Sequence, residues 1–169
     1  MGLWQRLFGD RTGAEVAPLY AAIVARAREP HWYRDGAVPD TVDGRFDMIA
    51  AVLSMILIRL EGDPAGAAPA AHLAERFVND MDAQLREIGI GDIVVGKHIG
   101  RMMGMLGGRL GAYRDGLTSG NIAPALIRNL YRGEAPAREA IDHVGGALMA
   151  LHERLAAQPI GGLVAGDLP

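Results

Sequence analysis

Apolar residues that recur every three or four positions constrain the fold of this chain more than any other feature. The longest such stripe contains Ile99, Met103, Leu106, Leu110, Tyr113 and Leu117. This spacing matches the 3.6-residue turn of an α-helix and places all six side chains on one face. No comparable stretch alternates apolar and polar residues with the period of two that a half-buried strand requires. The pattern therefore predicts an all-α protein.

Further stripes predict the other helices, over residues 12–29, 46–60, 73–88, 121–132 and 136–157, with a loop over 31–42. The chain has 169 residues, which is enough for one domain with a sizeable core. We therefore predict a single compact, bundle-like domain of five or six helices over residues 12–157. An amphipathic segment, residues 1–11, precedes it, and a flexible tail, residues 158–169, follows it.

Composition and charge exclude several classes of protein. The chain has no cysteine, so it forms no disulfide or thiolate metal site, and this fits a reducing compartment such as the cytoplasm. A net charge of -3 with a single lysine, Lys97, argues against a nucleic-acid partner. The longest nearly pure apolar run, Met48 to Ile58, has eleven residues, whereas a bilayer span needs about 20. We expect a cytoplasmic protein without a secretory signal or a transmembrane helix.

A second pattern lies on one side of the predicted helix that follows residue 92. It consists of the glycines Gly96, Gly100, Gly104, Gly107, Gly108 and Gly111. Each glycine inside a helix costs up to about 1 kcal/mol relative to alanine, so close packing should compensate for it. The first interpretation is tight contact with another helix of the same fold. The second is a shallow groove for a partner helix, with Met102, Met103 and Met105 as adaptable contacts.

Two polar blocks, residues 38–46 and 82–92, interrupt the apolar sequence. Near the first block, the carboxylates of Asp40, Asp43 and Asp47 predict a cap at the start of the second helix. In the second block, Arg86 and Glu87 indicate a salt-bridge cluster at the bend formed by residues 89–91, with a general acid and base as the alternative. We expect the blocks to meet in space, with Arg45 or Arg86 bound to a carboxylate of the other block.

These blocks resemble the recurrent motifs of the ubiquinol-cytochrome c chaperone family. The resemblance extends over roughly residues 19–155 through ordered matches that are spread along the chain. The matching residues are Tyr20, Ile23, Val24, Ala27, Arg28, Pro30, Asp40, Thr41, Asp43, Gly44, Arg45, Phe46, Leu85, Arg86, Glu87, Gly89, Gly91, Asp92, Val95, Lys97, Gly108, Arg109, Arg128 and Asn129.

The resemblance implies an all-helical, non-catalytic chaperone without a cofactor or metal. It implies that the protein binds newly made cytochrome b and assists its haem insertion and its assembly into the ubiquinol-cytochrome c reductase (bc1) complex. The candidate residues for binding the client or a partner are Asp40, Thr41, Asp43, Arg45, Phe46, Arg86, Glu87, Asp92, Met102, Met103, Arg109, Arg128 and Asn129. Contact with a ribosome and the need for a second assembly subunit stay open at this point.

Two alternatives come from the residues alone. A small helical haem-binding protein or enzyme would use His98 and Met102, four positions apart, together with Arg86 and Asp92. A membrane-surface scaffold would instead use the apolar side chains of residues 4, 7 and 8 as an interfacial anchor. The second alternative would place the protein peripherally at the inner face of the membrane.

Overall fold

Helices form nearly all of the regular structure in the computed structural model, which describes residues 13–87 and 95–169. No strand occurs within these two ranges, and this confirms the all-α prediction. The helices are α1 (Ala17–Ala27), α2 (Pro30–Arg34), α3 (Val42–Glu61), α4 (Ala67–Glu87), α5 (Val95–Ser119), α6 (Ala123–Asn129), α7 (Arg138–Ala156) and α8 (Ile160–Val164), with a 3₁₀ turn at Pro64–Gly66.

Helix α3 lies at the centre of the domain. It packs against α1, α4, α5 and α7. Its residues 48–57 are buried without a break, because apolar side chains occur on every side of the helix. Leu53, Met55 and Ile56 have no exposed surface. The sequence therefore forms α3 as a core helix, and the other long helices cover it.

The helix count agrees with the prediction once the short segments are considered separately. Helices α1, α3, α4, α5 and α7 have eleven or more residues, and α6 has seven. Two segments of five residues, α2 and α8, were not predicted. Such short helices span little more than one turn, so no apolar period can identify them from the sequence.

The predicted loop over residues 31–42 is wrong at its beginning, where α2 forms. Pro30 occupies the first turn of α2, where its missing N–H costs no hydrogen bond. Trp32 on this helix is buried, and its Nε1 donates a hydrogen bond of 2.7 Å to the carbonyl oxygen of Arg26. This contact fixes α2 against the end of α1.

Residues 158–169, for which the sequence predicts a flexible tail without regular structure, contain helix α8. Leu163 of α8 is fully buried, and α8 packs against α1. The Arg26 Nη2 atom donates a hydrogen bond of 2.8 Å to the Pro169 oxygen at the end of the chain. One buried leucine and one long-range hydrogen bond order this segment, and neither produces a periodic sequence signal.

Some predictions fall on residues outside the described ranges. These include the amphipathic segment with Trp4, Leu7 and Phe8, the bend at residues 89–91 and Asp92. Among the described residues, no helix combines the length and the apolar character needed to cross a membrane. The predicted domain limits at residues 12 and 157 stay predictions.

Candidate functional site

The first polar block forms the beginning of α3. Thr41 is the N-cap residue, and its Oγ1 accepts a hydrogen bond of 3.1 Å from the backbone N–H of Gly44. Asp43 lies in the first turn, where its charge is favourable near the positive end of the helix dipole. Asp40 accepts a hydrogen bond of 2.7 Å from Nε of Arg45, and this bond lowers the pKa of the Asp40 carboxyl. A cap was predicted at this position from Asp40, Asp43 and Asp47, but Thr41 is the residue that provides it.

Gly44 allows the loop before α3 to lie directly on the helix. A Cβ atom at residue 44 would stand 1.9 Å from the carbonyl oxygen of Pro39, which is far inside any real contact. The obstructing oxygen belongs to the backbone, so no change of side-chain rotamer can relieve the clash. Glycine is therefore required here by close approach.

A buried carboxylate lies one turn further along α3. Asp47 is 1% exposed. The Nη2 atom of Arg109, on α5, lies 2.7 Å from its Oδ1 as an ion pair without hydrogen-bond alignment. Nε of Arg132, on the segment between α6 and α7, donates a hydrogen bond of 2.7 Å to its Oδ2. The prediction that Asp47 caps the helix is therefore wrong. Asp47 is the centre of a cluster that ties α5 and this segment to α3.

Arg132 also reaches the surface of the same cluster. Its Nη1 donates a hydrogen bond of 2.7 Å to Asp43, and the hydrogen bond to Asp47 raises the pKa of its guanidinium. Its backbone has a φ of 53°, in the left-handed region that is unfavourable for a residue with a Cβ. The two carboxylate contacts offset this strain. We refer to Asp43, Asp47, Arg109 and Arg132 as the carboxylate cluster.

Phe46 joins this cluster to α4. The Arg109 guanidinium lies 5.1 Å from the centroid of the Phe46 ring, within the range of a cation–π interaction. The Phe46 ring stacks on Phe77 of α4 at 5.4 Å between centroids. Phe46 and Arg109, which were both candidate binding residues, therefore have clear structural contacts, and their role in binding stays a prediction.

Sequence reasoning missed Asp47 and Arg132 as members of a site. Asp47 had been interpreted as one of three capping carboxylates, and Arg132 was only the last residue of a predicted helix. A signal was present in one case, because Asp47 lies on a helix that is otherwise apolar almost all round, where an isolated charge needs a partner. Nothing in the sequence indicates which arginines provide the partners.

The second polar block is described only in part. Arg45 binds Asp40 of its own block through Nε, and the predicted contact of Arg45 or Arg86 with a carboxylate of the other block stays a prediction. Surface charges pair most easily with neighbours close in sequence, since little chain entropy is lost. Glu87 is exposed at the end of α4. Asp92 and the side chain of Arg86 lie outside the described part of the structure, so the meeting of the two blocks stays a prediction.

Five glycines of α5 share one face of the helix, where four of them are exposed and Gly111 is half-buried. Gly100, Gly104, Gly107, Gly108 and Gly111 lie on the side opposite to the buried Met102, Leu106 and Tyr113, given 100° of rotation per residue. A Cβ atom added at any of these five glycines would meet nothing within 4 Å among the described residues. The expected tight contact with another helix of the same fold is therefore absent from the described part. Gly96 belongs to α5, but its surroundings lie outside the described part of the structure.

The methionines of α5 divide between the core and this face. Met102 is 7% exposed and belongs to the core, whereas Met103 and Met105 are 39% and 43% exposed. They lie on either side of Gly104 in sequence and flank the glycine row. We call the five glycines together with Met103 and Met105 the α5 face. Burial places Met102 outside it.

The remaining candidate residues, Arg128 and Asn129, are the last two residues of α6. Arg128 is exposed and lines an open depression of about 360 Å³ together with Asp115 and Asn121. Asn129 is half-buried. Helix α6 packs against both α5 and α7. The described contacts do not bring Arg128 into the carboxylate cluster.

The described residues contain no cluster of three histidine or acidic side chains that could bind a metal ion. The suggested haem ligand Met102 is buried in the core, and the side chain of His98 lies outside the described part. His31 and His143 form a hydrogen bond of 2.9 Å between α2 and α7, with Glu29 on the other nitrogen of His31.

Two glycine-to-alanine substitutions should change stability in opposite directions. Gly104→Ala should raise the free energy of unfolding by up to about 1 kcal/mol, because its Cβ enters open space and alanine favours helix. Gly44→Ala should lower it by about 1–3 kcal/mol or more, because its Cβ collides with Pro39. Thermal melts of both variants against the wild type measure the difference. A lower melting temperature for Gly104→Ala would show that the α5 face is covered within the chain.

Comparisons with known proteins agree with this fold. Residues 34–168 match the family model for the ubiquinol-cytochrome C chaperone. The structure is similar to the crystal structure of the Cbp3 homolog from Brucella abortus, with a TM-score of 0.81 and 33% sequence identity over 98% of this chain and 93% of that chain. No curated protein sequence matches. The family match covers more than half of the chain and includes the carboxylate cluster, so the chain belongs to the ubiquinol-cytochrome c chaperone family.

Proposed function

We propose that this protein is a non-catalytic chaperone that binds newly made cytochrome b. It holds this apolar chain competent for haem insertion and assists its assembly into the bc1 complex. The membership of the chain in the ubiquinol-cytochrome c chaperone family supports the choice of client. The similarity to the Cbp3 homolog, which extends over almost all of both chains, supports it further.

One structural observation carries the proposal, and it is the α5 face. Four exposed glycines, the half-buried Gly111 and two exposed methionines provide an apolar surface with very low relief on a helix of 25 residues. Small residues let two helices approach closely, which is the usual way in which transmembrane helices pack. Methionine side chains adapt to different apolar partners. The α5 face therefore suits the helices of a membrane-protein client.

The stability of α5 supports an external partner for this face. Each glycine costs up to about 1 kcal/mol relative to alanine, and the described residues provide no packing in return. No described residue would obstruct alanine at any of the five positions. A requirement for close approach by another molecule explains why glycine occupies them instead.

The carboxylate cluster supports binding indirectly, because it orients α5. Arg109 lies on the same helix as the α5 face and binds the buried Asp47 of α3. This contact holds the exposed glycines away from the core. We propose that the cluster positions the binding surface and that the more distant Arg128 and Asn129 form part of its polar rim.

We further propose that the protein acts in the cytoplasm and peripherally at the inner face of the membrane. A client that inserts into the membrane as it is made would meet its chaperone there. The apolar side chains of Trp4, Leu7 and Phe8 would add an interfacial contact. The proposal needs no ribosome contact and no second assembly subunit.

Loss of this protein should reduce the amount of cytochrome b. In a strain that lacks the chain, we expect most assembled bc1 complex to disappear while the cytochrome b messenger stays at its normal level. An unprotected apolar chain would aggregate or be degraded before haem insertion. Haem-stained and immunodetected membrane fractions, compared with messenger levels, measure this outcome.

The control for that experiment is the same strain carrying the wild-type chain on a plasmid, which should restore the bc1 complex. Normal cytochrome b and bc1 levels in the deletion strain, with no second member of the family present, would reject the assignment.

A further inference from the structure

An open cleft of about 690 Å³ lies at the opposite end of α3 from the 3₁₀ turn, between the end of α1, helix α2 and the start of α3. It is not part of the carboxylate cluster or of the α5 face. Three arginines dominate its lining, which consists of Arg28, Pro30, Tyr33, Arg34, Asp40 and Arg45. A concentration of guanidinium groups is notable in a chain whose net charge is -3.

The arginines of this cleft keep donors for a ligand. Arg28 forms no ion pair with any described residue. Arg45 binds Asp40 through Nε, so both Nη groups are without described partners. Arg34 holds Asp35 through Nε and Nη2. Three guanidinium groups and the carboxylates of residues 35 and 40 give the cleft a net charge of +1. Both ion pairs are exposed, so an anionic ligand can replace the carboxylates at little cost.

An apolar side chain lies beside these charges. Val42 is 63% exposed, the largest value among the exposed large apolar side chains in the described residues. It lies three positions before Arg45 on α3, so both project from the same side of the helix. Pro30 and the half-buried Tyr33 add apolar surface to the cleft.

This combination selects one class of ligand. A nucleic acid would require a longer basic surface than three arginines supply. An acidic peptide would use the arginines but would leave Val42 exposed to water. A phospholipid places a phosphate at the level of the arginines and acyl chains at the level of an apolar residue. We propose that the arginine cleft binds the phosphate headgroup of anionic phospholipids and that Val42 enters the interface beside it.

Vesicle sedimentation with the full purified chain tests this proposal. The wild type should sediment with vesicles of phosphatidylcholine that contain phosphatidylglycerol and should stay in solution with phosphatidylcholine alone. Arg28→Ala and Arg45→Ala should each weaken this binding about fivefold, the usual effect of one arginine near an anionic surface. Val42→Ser should weaken it without any change in charge.

The matched control is Arg138→Ala, which removes the same charge from an exposed arginine on α7. It should bind vesicles as the wild type does. Every variant keeps residues 1–12, so the comparison isolates the cleft from the N-terminal segment.

Several results would overturn the proposal. Equal losses in Arg138→Ala and Arg28→Ala would indicate general charge attraction. Equal sedimentation with neutral vesicles would indicate apolar adsorption. Binding of inorganic phosphate to the cleft, without sedimentation of the protein on anionic vesicles, would identify a soluble phosphate ligand instead. The assay contains no cytochrome b, so its failure leaves the proposed chaperone function untouched.

Discussion

A Gly104→Leu variant should fold as the wild type does but lose most of its capture of cytochrome b. The new side chain enters open space among the described residues, since even a Cβ atom at this position meets nothing within 4 Å. It would, however, keep a client helix from close contact with α5. Overpacking of a close contact costs about 1–3 kcal/mol, so capture should fall about fivefold or more. Co-purification of cytochrome b from solubilised membranes, together with thermal melts, measures both effects.

Gly146→Leu is the matched control for this variant. Gly146 is also an exposed glycine inside a long helix, α7, and a Cβ atom there meets nothing within 4 Å among the described residues. This control should capture cytochrome b normally, because it lies outside the α5 face. Equal capture by both leucine variants would remove α5 from the binding surface. A lower melting temperature for Gly104→Leu alone would show that another part of this chain covers the glycines.

Asp47→Ala should be the most destabilising substitution at the site. It would leave the nearly buried guanidinium of Arg109 without its counter-charge, and Arg132 would lose one of the two contacts that offset its backbone strain. Breaking a buried ion pair costs about 3–5 kcal/mol. At about 2–4 °C for each kcal/mol in a domain of this size, the melting temperature should fall by about 6–20 °C.

Asp40→Ala provides the control for charge. It removes the same group seven residues earlier in the chain, but Asp40 and its partner Arg45 are both exposed. Water screens such a pair, so the melting temperature should change little. If Asp47→Ala melted at the temperature of Asp40→Ala, the buried carboxylate would have no stabilising role, and the proposal that the cluster positions α5 would fail.

The long helices could be predicted from the sequence because their cause is local. The stripe from Ile99 to Leu117 and the apolar run in α3 require only the pitch of a helix and a face to bury. The cap at the start of α3 could be placed for the same reason, since capping acts on a backbone N–H three residues away, but Thr41 provides it where the aspartates were expected to. Short helices such as α8 depend instead on one buried contact, Leu163, and were missed.

The sequence by itself determined that the chain is helical, that α3 needs cover on all sides and that the polar blocks are those of a chaperone family. Only the tertiary structure decided that Asp47 is held by Arg109 and Arg132 and that the α5 glycines face away from the core. The reason is that charge pairing depends on distance in space, and Asp47 and Arg132 are 85 residues apart. Glycine, which has no side chain, leaves the same sequence pattern on a packed face as on an exposed one.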